Sequence, residues 1–386
     1  MFSDQDVEWM RQALALAHKG LTTTTPNPRV GCVLVREGRV VGQGWHVRAG
    51  EPHAEIHALA QAGELARGAT AYVSLEPCGH TGRTGPCSRA LIEAGVASVV
   101  AATEDPNPRV RGQGLAQLRA AGVEVRCGLL AEEAIALNIG FFARMRRGRA
   151  WVRAKSAISL DGFIALPNGQ SQWLTDAACR ADGHAWRARA CAVMTGIGTF
   201  LKDRPLLTVR EVMTPRQPLR VVIDARLEAE PDLPFFHDEA PAMVVCTLDP
   251  QDPQDPRVRS RAQVLQEMGV ELVQLPSACG EPGRPLRLSA LVALLTERGM
   301  NELHLEAGSR MTGAFLQAGL VDEWLVYQAP IFLGQGMPMA EPLQALTGHA
   351  DPLEDPNQAT RWQMIETVPM GNGQRIRLQR PGADQF

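Results

Sequence analysis

Two short motifs constrain the fold of this chain more than any other feature, because their chemistry requires them to meet. In the first motif Glu55 lies two residues after His53, and in the second eight residues separate Cys78 from Cys87. One imidazole and two thiolates occupy three positions of a tetrahedral zinc ion and leave the fourth open, which is typical of a catalytic rather than a structural site. We therefore predict that His53, Cys78 and Cys87 bind Zn²⁺.

A proline precedes each predicted ligand, at positions 52, 77 and 86. Proline is tolerated at the first position of a helix, because its missing N–H would have no partner there. We expect His53 and Cys87 in the first turns of two helices, with Cys78 on a loop between them. The positive end of a helix and a metal cation both favour the thiolate form of cysteine.

Glu55 is the predicted proton carrier of this site. Zinc lowers the pKa of a bound water from 15.7 to roughly 7, and a nearby carboxylate can move protons from that water to a leaving amine. Zinc deaminases combine a ligand, a non-ligand Glu two residues later, and a Pro-Cys followed by a second Cys. Their compact motif has two residues between the cysteines, whereas this chain has eight. We interpret the insert, residues 79–86, as a substrate loop that carries His80 and Arg83.

Two other interpretations of these residues are weaker. His53 and His57 have the spacing of a zincin helix, but that motif requires Glu directly after the first His, where this chain has Ala54. A free cysteine more often behaves as a small buried hydrophobe than as a ligand. We therefore predict core positions for the remaining cysteines, which are Cys32, Cys127, Cys179, Cys191, Cys246 and Cys279.

The composition limits the class of protein. A chain of 386 residues is long enough for two or more domains, and a net charge of −3 argues against a surface that coats nucleic acid. The sequence has no apolar run that could cross a bilayer, and its first residues lack the regions of a signal peptide. Eight cysteines in so long a chain do not form a small-domain disulfide framework. We expect a soluble, cytoplasmic protein.

The periodicity of apolar residues predicts an α/β fold in both halves. Residues 4–145 alternate helix and strand signals, which favours a mostly parallel sheet between helices. Both motif helices follow predicted strands, where open α/β sheets place their sites. The basic run at 144–149 is interpreted as a solvated boundary, with a nucleic-acid patch as a weaker alternative. A second, unrelated α/β pattern follows, so we predict domains at 1–146 and 150–386.

Two glycine-containing junctions in the second half are candidates for phosphate binding. Residues 195–199 follow a predicted strand, and residues 306–309 lie between a strand and a helix. Such junctions present backbone N–H groups to phosphates. Neither matches Gly-x-Gly-x-x-Gly, so a plain tight turn explains each of them equally well.

Motifs along nearly the whole chain resemble those of the bifunctional riboflavin-biosynthesis deaminase/reductase family. In the first half they lie at residues 25–32, 49–55, 75–87 and 105–108, and in the second half at 159–162, 171–175, 203–210 and 306–308. The eight-residue spacing between the cysteines, anomalous for other zinc deaminases, is typical of this family.

The resemblance implies a cytidine-deaminase-like α/β/α zinc domain followed by a dihydrofolate-reductase-like α/β domain. The first would replace the ring amino group of 2,5-diamino-6-(5-phosphoribosylamino)pyrimidin-4-one by oxygen and release ammonia. The second would use NADPH to reduce the ribosyl group to ribityl, giving 5-amino-6-(5-phosphoribitylamino)uracil. The expected partners are the phosphorylated pyrimidine and further copies of the chain in a homo-oligomer, with no nucleic acid and no membrane.

The resemblance also implies site residues. In the first domain the substrate positions are Asn27, His46, His80 and Arg83. In the second domain the NADPH positions are Ala157, Trp173, Thr199, Asp203 and Gly308. The substrate positions there are Ser171, Arg187, Leu207, Arg210 and Glu306. The two arginines offer fork geometry for a phosphate, and the carboxylates of Asp161, Asp203 and Glu306 can bind hydroxyls or position protons.

Some positions depart from the family pattern, and plainer interpretations stay open. Gly79 and Gly85 replace the more usual Ser and Pro of the cysteine loop, and Ala225 stands where a hydroxyl residue that contacts the cofactor is common. The two arginines could form surface ion pairs, Trp173 could be core, and Asn27 could form a turn. For the whole chain the alternatives are a nucleoside or nucleic-acid deaminase with an accessory non-catalytic domain, and a regulatory protein that keeps a zinc scaffold. The low charge and few aromatics disfavour the former, and the intact Glu55 disfavours the latter.

Overall fold

The computed structural model describes residues 2–79, 85–108, 110–252, 255–342 and 356–386. The chain divides into two compact units, Met1–Arg149 together with Phe386, and Ala150–Gln385. Each unit is an α/β fold with its own sheet and its own hydrophobic core. No helix within the described ranges combines the length and the apolar character needed to cross a membrane.

The described part of the first unit contains six α-helices and five strands. They are α1 (Asp4–His18), β1 (Gly31–Arg36), β2 (Arg39–Trp45), α2 (Ala54–Ala62), β3 (Thr70–Val73), α3 (Cys87–Glu93), β4 (Ser98–Ala101), α4 (Gln113–Ala120), β5 (Glu124–Cys127), α5 (Ala131–Leu137) and α6 (Ile139–Arg147). The strands form one sheet in the order β2-β1-β3-β4-β5.

The sheet of the first unit is mixed, although the sequence predicted a mostly parallel one. Strand β1 pairs antiparallel with both β2 and β3, while β3, β4 and β5 are parallel. The turn between β1 and β2 explains part of the difference, because Glu37 and Gly38 both have positive φ, 52° and 72°. A two-residue turn of this kind returns the chain directly beside the strand it leaves.

Helix α2 lies very close to strand β2 because two glycines of the strand face it. A Cβ atom on Gly42 would lie 2.2 Å from the carbonyl oxygen of Ala58, and one on Gly44 would lie 2.5 Å from that of Ala54. A side chain at either position would push the helix away from the sheet, so only glycine allows this approach. The contact fixes the amino end of α2, where His53 is the N-cap residue.

The described part of the second unit contains five α-helices and eleven strands. They are β6 (Trp151–Ile158), β7 (Phe163–Ala165), α7 (Ala177–Arg189), β8 (Ala192–Gly196), α8 (Ile197–Asp203), β9 (Leu219–Ile223), β10 (Ala242–Cys246), α9 (Pro256–Glu267), β11 (Glu271–Gln274), α10 (Leu288–Glu297), β12 (Glu302–Leu305), α11 (Ser309–Gln317), β13 (Glu323–Gln328), β14 (Met337–Pro338), β15 (Gln363–Met370) and β16 (Gly373–Gln379).

Nine of these strands form one sheet in the order β11-β10-β9-β8-β12-β6-β13-β16-β15. The seven strands from β11 to β13 are parallel, and β16 and β15 continue the sheet as an antiparallel hairpin. The carboxyl ends of parallel strands meet at one edge, which is where open α/β sheets bind ligands. Residues that follow β6, β8 and β12 therefore lie near one another.

The cores of the two units contain most of the cysteines that we predicted to be buried. Four of the six are buried, namely Cys32, Cys179, Cys191 and Cys246, and Cys127 is half-buried. The prediction is wrong for Cys279, which is exposed. This residue lies beside Gly280 on the connection between β11 and α10.

Candidate active sites

The three candidate zinc ligands lie together in the first unit. The Nδ1 atom of His53 lies 3.6 Å from the Sγ atom of Cys78 and 3.3 Å from that of Cys87. All three ligand atoms lie within 4.8 Å of one another. Ligands held at about 2.0–2.3 Å in a tetrahedron are separated by roughly 3.5 Å, so these atoms fit a single zinc ion. They are the one such group of His, Cys, Asp and Glu in the described ranges.

The amino ends of two helices position these ligands. His53 is the N-cap residue of α2, Cys87 is the first residue of α3, and Cys78 lies on the loop between β3 and α3. Pro86 is the N-cap residue of α3 and Pro52 precedes the N-cap of α2, so neither proline occupies the first helical position that we expected. The N–H of Cys87 has no partner within its helix, and it donates to the Sγ of Cys78 at 3.2 Å.

A buried carboxylate holds the loop that carries Cys78. Glu76 accepts hydrogen bonds from the backbone N–H groups of Asp105, Gly112 and Gly114 at 3.0, 2.9 and 2.9 Å. The backbone of Gly114 also lies so close to Pro77 that a Cβ atom would be 1.8 Å from its carbonyl oxygen. The metal loop is therefore fixed against the amino end of α4. Sequence reasoning missed this role, although Glu directly before Pro-Cys was a visible signal.

Ser88 and Gln117 fix the other end of the same loop. The N–H of Ser88 donates to the carbonyl oxygen of Cys78 at 3.2 Å, and its hydroxyl donates to Oε1 of Gln117 at 2.6 Å. Nε2 of Gln117 in turn donates to the carbonyl oxygen of Gly79 at 2.8 Å. The side chains of Ser88, on α3, and Gln117, on α4, thus hold the backbone around Cys78. The sequence analysis singled out neither residue.

Glu55 lies on α2 beside the three ligands, and part of its carboxylate is unpaired. The residue is 2% exposed, and its Oε2 atom has no hydrogen-bond partner among the described residues. Burial, partly offset by the charge of His53, raises the pKa of Glu55 to about 7. A buried polar atom without a partner is costly, and a carboxyl group with a pKa near neutrality can both accept and donate protons. The donor set and this orphaned oxygen therefore fit a catalytic zinc ion.

A hydrogen bond couples the two thiols of the site, and it shifts their pKa values in opposite directions. A hydrogen bond from Cys87 lowers the pKa of Cys78 to about 4, and the same interaction, together with burial, raises the pKa of Cys87. The hydrogen bond to Cys78 raises the pKa of His53. Binding of a metal requires deprotonated ligands, so a cation here would release the protons that these groups now share.

Two of the four predicted substrate residues of the first unit lie next to this centre. The ring of His46 stands 5.2 Å from that of His53 at an angle of 81°, and its Nδ1 lies 3.2 Å from the carbonyl oxygen of Pro52. Nε2 of His46 lies 3.1 Å from Nδ2 of Asn27. Burial lowers the pKa of His46, so the ring is neutral and can act as a hydrogen-bond acceptor and donor. The other two predicted residues, His80 and Arg83, lie outside the described residues.

In the second unit, two predicted substrate residues form a partly buried ion pair, with side chains that are 15% and 11% exposed. The guanidinium of Arg187, on α7, binds both carboxylate oxygens of Glu306, which follows β12, and one of the two contacts is 2.8 Å. Burial alone would raise the pKa of Glu306, but the charge of Arg187 holds it well below the usual range. The pair is therefore charged and bidentate, and it is not the surface ion pair that the plainer interpretation suggested.

Two further residues beside this pair were not identified from the sequence. His304 of β12 is fully buried, and its Nε2 lies 3.5 Å from Oε1 of Glu306. Neither of its ring nitrogens forms a hydrogen bond with a described residue. Burial lowers the pKa of His304 and also that of Lys155, on β6. The Nζ atom of Lys155 lies 5.6 Å from the centre of the Tyr327 ring. Both residues lie within strands, at positions that the apolar pattern of the sequence assigns to the core.

The segment 207–210 brings two more predicted substrate residues to the same place. Leu207 is buried and adopts a positive φ of 56°. The carbonyl oxygen of Thr208 accepts from Arg187 at 3.1 Å, and its hydroxyl accepts from Arg210 at 2.8 Å. Arg210 is exposed. The structure therefore joins Arg187, Glu306 and the Leu207–Arg210 segment into one polar cluster.

Three of the five predicted cofactor residues, Ala157, Thr199 and Gly308, lie at the carboxyl edge of the sheet. Thr199, on α8, accepts a hydrogen bond from the N–H of Gly308 at 2.9 Å, which links the two glycine junctions. Asp203 ends α8 and is exposed, and Ala157 lies near the end of β6. Trp173 is 70% exposed and is not a core residue. Ser171 lies two residues before it, on the same connection between β7 and α7.

Two aspartates at this edge hold backbone groups. Asp161 accepts hydrogen bonds from the N–H groups of Leu333 and Gly334 at 3.1 and 2.7 Å, so it fixes a loop. Asp224, fully buried after β9, accepts from the N–H of Ala229 at 2.7 Å, while its Oδ1 has no partner among the described residues. Ala225 follows it and is half-buried.

Two family models match the chain. Residues 3–103 match the cytidine and deoxycytidylate deaminase zinc-binding region, and residues 150–374 match the RibD C-terminal domain. The chain is 41% identical to the riboflavin biosynthesis protein RibD of Haemophilus influenzae, over 96% of this chain and 96% of that protein. It is 44% identical to RibD of Escherichia coli, over 86% and 89%.

Solved structures agree with these similarities. RibD of Acinetobacter baumannii has a TM-score of 0.83 and 38% identity, covering 97% of this chain and 99% of that one. A diaminohydroxyphosphoribosylaminopyrimidine deaminase/5-amino-6-(5-phosphoribosylamino)uracil reductase from Thermotoga maritima has a TM-score of 0.82 and 31% identity, with the same coverage. The similarity therefore extends over both units.

Proposed function

Because this chain belongs to the RibD family of bifunctional deaminase/reductases of riboflavin biosynthesis, we propose that each unit catalyses one of two consecutive reactions on a phosphorylated pyrimidine. The domain of residues 1–146 deaminates 2,5-diamino-6-(5-phosphoribosylamino)pyrimidin-4-one. The domain of residues 150–386 then reduces the ribosyl group of the product to ribityl, with NADPH as the electron donor. The final product is 5-amino-6-(5-phosphoribitylamino)uracil.

In the deaminase unit, His53, Cys78 and Cys87 hold Zn²⁺. When bound, the ion supplies an activated water at neutral pH. Glu55 would take up the proton that the attacking water loses as the carbon–oxygen bond forms at the ring carbon, and would pass protons to the amino group, which leaves as ammonia when the carbon–nitrogen bond breaks. The burial and the unpaired oxygen of Glu55 support this role.

The substrate of the deaminase unit is bound by groups around the metal centre. The ring of His46 stands next to that of His53; its Nδ1–H donates to the carbonyl oxygen of Pro52 and its Nε2 accepts from the amide of Asn27, so His46 orients Asn27, whose amide binds the pyrimidine. We assign His80 and Arg83 to the loop that covers the substrate, with Arg83 binding the phosphate. These two assignments depend on the family motif alone.

In the reductase unit, the geometry divides the substrate residues by task. Arg187 already binds both carboxylate oxygens of Glu306 and the carbonyl oxygen of Thr208. Arg210 is exposed and has donors left, so we assign the phosphate to Arg210. Glu306, held charged by Arg187, accepts hydrogen bonds from ribosyl hydroxyls. Ser171 and Leu207 complete the substrate site.

The nicotinamide cofactor of the reductase family lies, in this proposal, along the carboxyl edge of the parallel strands. Ala157, Trp173, Thr199, Asp203 and the turn at Gly308 contact it. Gly308 is the N-cap residue of α11, where unpaired N–H groups favour a phosphate. The choice of NADPH over NADH follows the family resemblance. When bound, the cofactor supplies a hydride, and the protein positions the ribosyl carbon to receive it.

One observation carries the proposal most directly: the three-ligand centre with the unpaired, buried carboxylate of Glu55 lies in the unit that matches a zinc-binding deaminase region. The test is incubation of the full chain with the diaminopyrimidine phosphate, alone, with NADPH and with NADH, and identification of the products by mass. We expect the deaminated compound alone without a cofactor and the reduced, deaminated compound with NADPH. Absence of deamination by the zinc-loaded chain would overturn the proposal.

We further propose that the chain acts in the cytoplasm as a homo-oligomer and binds neither nucleic acid nor a membrane. The net charge of −3 supports the absence of a nucleic-acid partner. Light scattering of the purified protein measures the oligomeric state, and a monomer at micromolar concentration would contradict the first part of this proposal.

A further inference from the structure

The segment Leu207–Arg210 belongs to no helix or strand, yet side chains from other parts of the second unit bind its backbone. The N–H of Val209 donates to Oε1 of Gln217 at 2.7 Å, and Nε2 of Gln217 donates back to the carbonyl oxygen of Val209 at 3.1 Å. The N–H of Arg210 donates to Nδ1 of His184 at 3.1 Å. An irregular segment with these bonds is held in one conformation, because buried backbone groups must be paired.

His184 is suited to this contact because it is a neutral acceptor. A backbone N–H can only donate, so Nδ1 of His184 carries no proton. The residue is 7% exposed, and burial, with the positive charges of Arg187 and Arg210, lowers its pKa to about 4. It therefore accepts throughout the neutral pH range.

His184 lies on α7, the helix that also carries Arg187. Its contact with the N–H of Arg210 is therefore linked to the polar cluster of Arg187, Glu306 and the segment Leu207–Arg210. His184 precedes Arg187 by three residues, so both side chains lie on one face of the helix. Arg187 binds the carbonyl oxygen of Thr208, and His184 binds the N–H of Arg210, two residues later. A carboxylate in place of the imidazole could accept the same hydrogen bond, but its negative charge would repel a phosphate at Arg210.

We propose that His184 and Gln217 are positioning residues that fix the segment Leu207–Arg210, so that the guanidinium of Arg210 is already in place for the phosphate of the reductase substrate. This inference rests on the proposed function, in which Arg210 binds that phosphate. Order in the free enzyme lowers the cost of ordering the segment on binding. Neither residue contacts the substrate, and both act through the backbone of the segment.

The test compares reduction of the deaminated intermediate with reduction of the same compound lacking its phosphate, in His184→Phe and Gln217→Leu. For each variant we expect kcat/KM on the phosphorylated compound to fall about tenfold or more, mainly through KM, since small displacements of binding groups have effects up to about 100-fold. The value on the dephosphorylated compound should stay within about twofold of the wild type. Equal losses on both compounds would show a general structural defect and overturn the inference.

Three controls separate the possible causes. His184→Asn keeps an acceptor close to the Nδ1 position and should recover most of the preference for the phosphorylated compound. His237→Phe changes an exposed histidine of the same unit and should leave both reductions unchanged. If His184→Phe does not fold, Gln217→Leu and His184→Asn carry the test, and an unchanged preference in Gln217→Leu then overturns the inference.

Arg210→Ala distinguishes failure of this inference from failure of the proposed function. If Arg210→Ala keeps the preference for the phosphorylated compound, the phosphate does not bind Arg210, and the proposed role of that residue fails. If Arg210→Ala loses the preference while His184→Phe and Gln217→Leu keep it, only the positioning roles of His184 and Gln217 fail.

Discussion

The two candidate sites of this chain each contain a glutamate, and the two carboxylates lie in opposite environments. Glu55 of the first unit has an oxygen without a described partner, and burial raises its pKa to about 7. Glu306 of the second unit is bound through both oxygens by Arg187, and its pKa lies well below the usual range. A carboxyl group near neutrality can transfer protons, whereas a permanently charged one can only bind and orient. In the proposed function, the same residue type therefore transfers protons in one unit and binds substrate in the other.

The sites also differ in how they are assembled. The first is built from two short motifs at the amino ends of α2 and α3, which a few side chains of α3 and α4 hold together. The second draws residues from β6, α7, α8, β12 and an irregular segment. A metal centre needs rare residue types at fixed spacing, so its sequence motif is specific. A polar cluster consists of common residues, and its role depends on which partners the fold brings next to them.

Removal of a metal ligand should have the largest effect and separate the two units most sharply. We expect Cys78→Ser and Cys87→Ser to lose zinc and to abolish deamination, because three protein ligands are the minimum of such a catalytic site. Reduction of the supplied deaminated intermediate should stay near normal. Metal analysis and the two activity assays measure this. Cys127→Ser, a half-buried cysteine of the same unit outside the centre, is the matched control and should keep its zinc. Full zinc retention in both ligand variants would refute the metal centre.

Glu55→Gln should have the next largest effect and tests whether Glu55 carries protons. The amide keeps the volume but cannot transfer a proton, so deamination should fall by about 10²–10⁴-fold. Zinc content should be unchanged, and the supplied intermediate should still be reduced. Deamination at the wild-type rate would show that the mechanism is wrong. Loss of the reduction as well would show that the two sites are not independent.

Glu306→Gln tests the opposite environment in the second unit. We expect a lower thermal midpoint, because the partly buried Arg187 would lose its charged partner, and impaired reduction with normal deamination. The pKa of Glu306 is lowered on folding, so its charge stabilises the folded state above its ordinary pKa of 4.5. The stability difference between wild type and variant should therefore be full at pH 7 and shrink as the pH falls below about 4.5. A difference that grows toward acid pH would contradict the ion pair.

The sequence predicted much of the fold and an unequal share of the two sites. The helix Ala177–Arg189 and the strands Trp151–Ile158 and Glu302–Leu305 can be predicted with these bounds from the sequence, because their apolar periodicity is strong. The hairpin of β15 and β16 was missed, since its residues are mostly half-buried and give a weak pattern. Helix α8 was missed because it has only seven residues and begins inside the glycine junction.

Among the site residues, the three zinc ligands could be proposed from spacing alone, since Cys and His at such positions have a specific chemistry. The position of Glu76 before Pro-Cys marks it as a candidate, but the backbone groups that Glu76 and His184 bind lie 36 and 26 residues away, and that of Gln217 lies eight residues away in an irregular segment, so none of these partners could be predicted. Local patterns carry no information on which loop a polar side chain will reach. Asp161 illustrates the same point, since the structure shows it fixing a loop.

Ala225→Ser should have the smallest effect and concerns the cofactor side of the reductase alone. Strand β9 ends at Ile223, at the carboxyl edge of the sheet, and Asp224 and Ala225 follow it. The family usually has a hydroxyl residue at the position of Ala225. One added hydrogen bond contributes about 1 kcal/mol, so the KM for NADPH should fall by about fivefold. The carbonyl oxygen of Ala225 already accepts from Thr247, and that contact is unaffected by the change.

Ala225→Cys has a similar volume with a much weaker donor and should leave the KM near the wild-type value. If serine and cysteine change the KM equally, volume rather than hydrogen bonding explains the effect. If neither changes it, the cofactor does not reach this position, and the proposed course of NADPH along the strand ends must stop at β8.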